Sequence, residues 1–87
     1  MNHKDAFTAW MPKNGVNGNT ITSYRAYINQ IEKKYGNIDE LIKDDMYVLL
    51  ENINHENFPG KAEHTIRIYR SAVLKYYEFL KSIDEVL

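Results

Sequence analysis

Eighty-seven residues, 44% of them hydrophobic and 26% charged, with no cysteine and a net charge of −1, suit one domain around one core, because two halves would each bury too little apolar surface to offset their backbone entropy. This composition excludes a disulfide framework and thiolate metal sites, and its aromatic content is unlike that of a disordered chain. The longest apolar stretch, Met46 to Leu50, falls far short of the roughly 20 residues of a membrane span, and no signal-peptide run follows Lys4, so a cytoplasmic protein without a membrane anchor is expected.

The first predicted element is a short helix over residues 5–11, where Ala6, Phe7, Trp10 and Met11 recur at helical spacing. Pro12 and the Asn14-Gly15 and Asn17-Gly18 pairs then supply a stop and a turn. Trp10 is read as a lid on the core, a partner-binding aromatic being the alternative. A second helix is predicted over residues 20–35, with Asn19 or Thr20 as its cap and Ile21, Tyr24, Ile28, Ile31 and Tyr35 as its apolar stripe. Tyr27 widens that face, and Gly36-Asn37 ends the helix.

The connection that follows carries Ile38, Leu41 and Ile42, then Met46, Val48, Leu49, Leu50 and Ile53, interrupted by Asp44-Asp45. A carboxylate there would cap a new helix and suit its positive end, so a helical turn or two over 39–43 and a helix over 45–54 are expected. Asn57-Phe58-Pro59-Gly60 ends this region. The last helix is predicted over 63–83, with Ile66, Tyr69, Val73, Tyr76, Leu80 and Ile83 as its stripe and Arg67, Arg70, Leu74 and Lys81 on one flank beside it. The fold class is therefore all-α, a compact bundle of four to five helices.

Charge is unevenly spread along this plan. Residues 13–36 and 61–81 each carry a net charge of +3, whereas residues 38–57 carry −5 and Asp84-Glu85 a further −2. The two long helices are basic and their connection is acidic. Both helices also open Thr-Ile-x-x-Tyr-Arg: a shift of 45 lays Thr20 on Thr65, Ile21 on Ile66, Tyr24 on Tyr69, Arg25 on Arg70, Ile28 on Val73 and Tyr35 on Leu80. Any two core helices with an N-terminal threonine share the apolar positions, so the echo alone does not establish a duplication.

Catalytic devices are missing from the chain. His3, His55 and His64 lack the i, i+4 partner or carboxylate spacing of a zinc or non-haem iron site, so no metal and no cofactor is expected. Asp39-Glu40 and Asp44-Asp45 are neighbours that diverge by about 100° on a helix and cannot act as a convergent acid pair; they are read as capping groups and a solvated acidic face. There is no Gly-rich phosphate loop, Gly-x-Ser-x-Gly or Cys-His couple. No catalytic residue is assigned, and the chain by itself is not expected to be an enzyme.

The run Asn19-Thr-Ile-Thr-Ser-Tyr-Arg-Ala-Tyr-Ile28, preceded by Phe7-x-x-Trp10 and followed by Tyr69-Arg-Ser-Ala-Val-Leu-Lys-Tyr-Tyr-Glu-Phe-Leu80, resembles the N-terminal core-binding domain of phage-type integrases, the tyrosine recombinases. The resemblance covers nearly all of residues 4–81. It implies a SAM-like helical domain that clamps duplex DNA while a separate C-terminal catalytic domain cleaves and rejoins strands through a tyrosine nucleophile. The expected partners are thus double-stranded DNA and that catalytic domain, with self-association on DNA compatible with both. The chain is read as a fragment of a longer recombinase or, if complete, as a stand-alone relative.

On this basis DNA binding is expected to be dominated by the phosphate backbone, with basic side chains on the long helices and small polar groups near their N-termini making the contacts. The candidates are Asn19, Thr20, Thr22, Ser23, Arg25, Lys61, His64, Thr65, Arg67 and Arg70. His64 is placed to meet a phosphate at a helix start, or simply to cap it or face solvent; Arg25 and Arg70 follow inward tyrosines and have pairing with the acidic connection as their alternative. Similar helices precede some restriction-type endonuclease domains, which keeps a nuclease partner open. Seven tyrosines also allow a protein-interaction module.

Overall fold

The computed structural model describes residues 1–86. Four helices occupy them: α1 (Lys4–Lys13), α2 (Gly18–Tyr35), α3 (Ile38–Asn52) and α4 (Glu63–Ser82). Local chemistry explains most of their limits. α1 runs two residues beyond the expected stop and takes Pro12 into its last turn, which forgoes the one amide bond to the Thr8 carbonyl and ends the helix a residue later. It closes in a Schellman motif: the Val16 amide donates to the Met11 carbonyl (3.1 Å) and the Gly15 amide to that of Pro12 (3.4 Å), with Gly15 at φ +83°, a conformation glycine adopts without a steric penalty.

The cap of α2 differs from the expectation. Asn17, not Asn19 or Thr20, accepts from the Thr20 amide (2.9 Å), and the helix therefore starts at Gly18. The Asn17-Gly18 pair that reads as a turn signal is the helix start itself. Asn37 caps α3 in the same way, accepting from Glu40 (3.0 Å).

α3 unites the two predicted segments across a kink. Asp45 has non-helical angles (φ −159°, ψ 99°), and its carboxylate accepts from the amides of Tyr47 (3.0 Å) and Val48 (3.2 Å). That is the capping role expected of Asp44-Asp45, applied inside one element. The helix stops at Asn52, two residues earlier than predicted.

All four helices meet in one core, to which α4 contributes Ile66, Tyr69, Ala72, Val73, Tyr76, Phe79 and Leu80. Phe7 and Met11 of α1, Ile28 and Ile31 of α2, and Ile38, Ile42 and Leu49 of α3 pack with them, together with Ile53 and Phe58 from the connection. Trp10 is the half-buried lid that the sequence suggests, 6.3 Å from the Phe7 ring and 5.6 Å from that of Phe79. Ile83 departs from the predicted stripe: it caps α4 outside the core and is 41% exposed.

Asp39 also departs from expectation. Instead of joining a solvated acidic face it is 1% exposed, and it accepts hydrogen bonds from the Asn2 amide (2.8 Å) and the Tyr76 hydroxyl (2.8 Å). Two donors offset the desolvation of the carboxylate. Burial, and then the Asp39 carboxylate beside it, push the Tyr76 hydroxyl far above the ordinary tyrosine pKa. No helix is long and apolar enough to cross a membrane among the described residues.

Candidate nucleic-acid interface

α2 and α4 pack against each other. The first turns of α2 stand beside the middle of α4, where Asn19, Thr20, Ser23, Tyr24, Ile68 and Ser71 line a shallow groove of about 280 Å³. At the other end of α2, Gln30, Lys33, Lys34, Asn57, Pro59 and Lys61 surround a second groove of about 310 Å³ floored by Phe58. Between the grooves the Tyr27 and Tyr69 rings pack 4.5 Å apart and hold the helices in this register.

The stripe on α2 follows from helical geometry, because Asn19, Ser23, Tyr27, Gln30 and Lys34 recur every three or four residues. Short polar side chains occupy its N-terminal half and the longer Gln30 and Lys34 its C-terminal half. On α4, His64 and Arg67 are exposed over the first two turns, and the Ser71 hydroxyl donates to the Arg67 carbonyl one turn back (3.0 Å).

No carboxylate lines either groove. Among the described residues Lys33, Lys34, Lys61 and Arg67 form no ion pair; the pairs present are Met1 amino–Glu32, His3–Glu85, Lys43–Glu85 and Lys75–Glu78. Lys34 is steadied from below by the Phe58 ring, 5.5 Å from its ammonium. The acid gathers elsewhere: Asp44, Asp45 and Glu85 border a groove between α3 and the end of α4, and Glu40 and Asp44 border one beside Gly36.

The ten residues singled out from the sequence divide among several surroundings. Asn19, Thr20 and Ser23 share the first groove, and Lys61 lies in the second. His64 and Arg67 are exposed on α4, and Thr65 is half-buried. Thr22 and Arg25 open instead onto a cleft between α1 and α2, and the Thr22 hydroxyl donates to the Gly18 carbonyl (3.2 Å). Arg70 turns inward, its Nε donating to the carbonyl of buried Ile53 (3.0 Å). The alternative of an ion pair with the acidic connection is thus realised by neither arginine: Arg70 reaches the connection through a backbone carbonyl, and Arg25 does not reach it.

Lys33 and Lys34 escaped selection from the sequence. Their i, i+3 and i, i+4 spacing from Gln30 was a usable signal. That Lys61 stands across from them depends on how the 53–62 connection folds back under α2. Among the described residues no three histidine, aspartate or glutamate side chains gather as a metal-binding set. Compared with known proteins, the chain matches no family model, no curated protein and no solved structure.

Proposed function

We propose that the chain is a DNA-binding helical module that lays the α2–α4 face along the phosphate backbone of a duplex, as the N-terminal core-binding domain of a tyrosine recombinase whose strand chemistry belongs to a separate catalytic domain. The observation that carries this is the separation of charge: Lys33, Lys34 and Lys61 line one of two grooves that contain no carboxylate, and Arg67 is exposed on α4, while the acid of α3 borders other grooves. Lysines held in this way neutralise phosphates and release counterions, and Asn19, Thr20 and Ser23 add neutral hydrogen-bonding groups that sit close to a backbone. So few cations give weak, salt-sensitive binding, strengthened when a second domain closes on the same duplex.

The test is anisotropy of a labelled duplex between about 50 and 200 mM salt, where each lost phosphate contact flattens the slope of log K against log salt by about 0.9. Lys33→Ala/Lys34→Ala/Lys61→Ala is expected to flatten it by roughly 2–3, while Lys43→Ala, on the acidic side, leaves it unchanged. Absence of binding by the wild type at the lowest salt rejects the proposal.

A second reading, a protein-interaction module, is favoured by a different observation. Tyr47 (76% exposed), Val48 (50%) and Leu74 (46%) are large apolar side chains left in solvent. A restriction-type nuclease as the catalytic partner would use the same DNA face.

A further inference from the structure

We propose that the cleft between α1 and α2 is an anion site that takes a phosphate group, separate from the α2–α4 face and independent of whether that face binds DNA. The cleft has a volume of about 450 Å³, and Lys4, Thr22, Arg25, Asn29 and Glu32 contribute its polar lining. Arg25 is its centre. The Nε of this side chain is buried without a hydrogen-bond partner, and its guanidinium is in no ion pair among the described residues. A charged donor withdrawn from water with no acceptor is destabilising, and an anion drawn to the accessible end of the guanidinium in the cleft offsets that through its charge.

The surrounding groups suit an anion. Lys4 has no carboxylate partner among the described residues, so two cations face one cleft. Asn29, one turn beyond Arg25, adds an amide that can donate, whereas the Thr22 hydroxyl one turn before it is already donating to the Gly18 carbonyl. Glu32, the one carboxylate in the lining, is already engaged: it pairs with the Met1 amino group and accepts from the Ile38 amide (3.1 Å). The cleft therefore keeps a positive balance and an arginine fork without a partner, the arrangement that binds phosphate oxygens best.

Nitrogen-15 NMR of the whole chain tests this through the Arg25 Nε–H resonance. Inorganic phosphate is titrated against sodium chloride of equal ionic strength, and a short duplex is titrated in parallel. A saturable shift of that resonance with phosphate, in the millimolar range and absent with chloride, is expected, together with its survival in Lys33→Ala/Lys34→Ala/Lys61→Ala. A response to phosphate alone assigns the site to free phosphate or a phosphate monoester, whereas a response to duplex alone assigns it to a nucleic-acid backbone. Arg25→Gln, checked for helicity by circular dichroism, is expected to abolish the phosphate-induced shifts of the Thr22 and Asn29 amides, and Lys4→Gln to weaken binding several-fold. An Arg25 resonance indifferent to both ligands, or moved equally by chloride, overturns the proposal.

Discussion

The two Thr-Ile-x-x-Tyr-Arg segments begin alike and end in different environments. Tyr69 is fully buried between Tyr27 and Phe58, whereas Tyr24 is half-buried at the rim of a groove. Arg70 closes a hydrogen bond to Ile53, whereas Arg25 faces a cleft with its Nε unmatched. The difference lies in what surrounds each helix: α4 is enclosed by the other three helices and the 53–62 connection, while the Arg25 flank of α2 is met only by α1 and the chain before it. One hexapeptide pattern thus serves as a core anchor in one place and as an open surface in the other.

Substitutions at matched positions sharpen this contrast. Tyr69→Ala empties a site at the centre of the core and is expected to cost about 3–5 kcal/mol, against about 1–2 kcal/mol for Tyr24→Ala, which loses half-buried area only. Urea unfolding of the pair measures the gap, and equal losses would mean that the two helices are equally enclosed. Arg70→Ala leaves the Ile53 carbonyl without its charged donor and is expected to cost about 1.5–3 kcal/mol. Arg25→Ala removes a buried donor that no partner satisfies and is expected to be neutral or stabilising, by up to about 1–3 kcal/mol.

At the position matching Tyr76, α2 has Ile31, equally buried but with no hydroxyl to satisfy. Tyr76→Phe removes one of the two donors to Asp39 and is expected to cost about 1–3 kcal/mol near neutral pH. The sign with pH follows from the raised Tyr76 pKa. Its stabilising effect is complete below the ordinary value of 10.0 and is lost as the pH climbs above it, because the unfolded chain ionises there while the folded chain keeps the proton. Denaturant midpoints taken above that pH should fall less steeply for Tyr76→Phe than for wild type.

The smallest effect is expected at the helix ends. α2 stops on Gly36 at φ +99°, whereas α4 ends in a Schellman motif with Asp84 at φ +59°. There the Glu85 amide donates to the Leu80 carbonyl (2.9 Å) and the Asp84 amide to that of Lys81 (3.1 Å). An L-residue other than glycine is strained in that conformation, so Asp84→Gly should stabilise by about 0.5–1 kcal/mol, visible as a rise in Tm.

Much of the fold is legible in the apolar spacing. Ile28, Ile31, Ile66, Tyr69, Val73, Tyr76 and Leu80 are all buried, because a period of three to four residues leaves a helix only one face to hide. The helix start at Asn17 was obscured by competing signals, since Asn-Gly serves as well for a turn as for a cap followed by a first residue. Asp39 and Asp45 are harder still: both are acids in an acidic run, yet one is buried under Tyr76 and the other kinks a helix. Spacing within the run does not distinguish them.

For the candidate site the division is similar. Short-range periodicity determined that Asn19, Ser23, Gln30 and Lys34 share a stripe, and composition determined that the long helices are basic and their connection acidic. Only the tertiary structure decided that Lys61 completes a groove with Lys33 and Lys34, that Arg70 is tied to Ile53, and that Arg25 opens onto a cleft beside Lys4. Helical spacing acts over one or two turns, whereas these placements depend on how α2 and α4 pack and where the 53–62 connection returns the chain. That is settled by burial of the whole core at once, not by any segment alone.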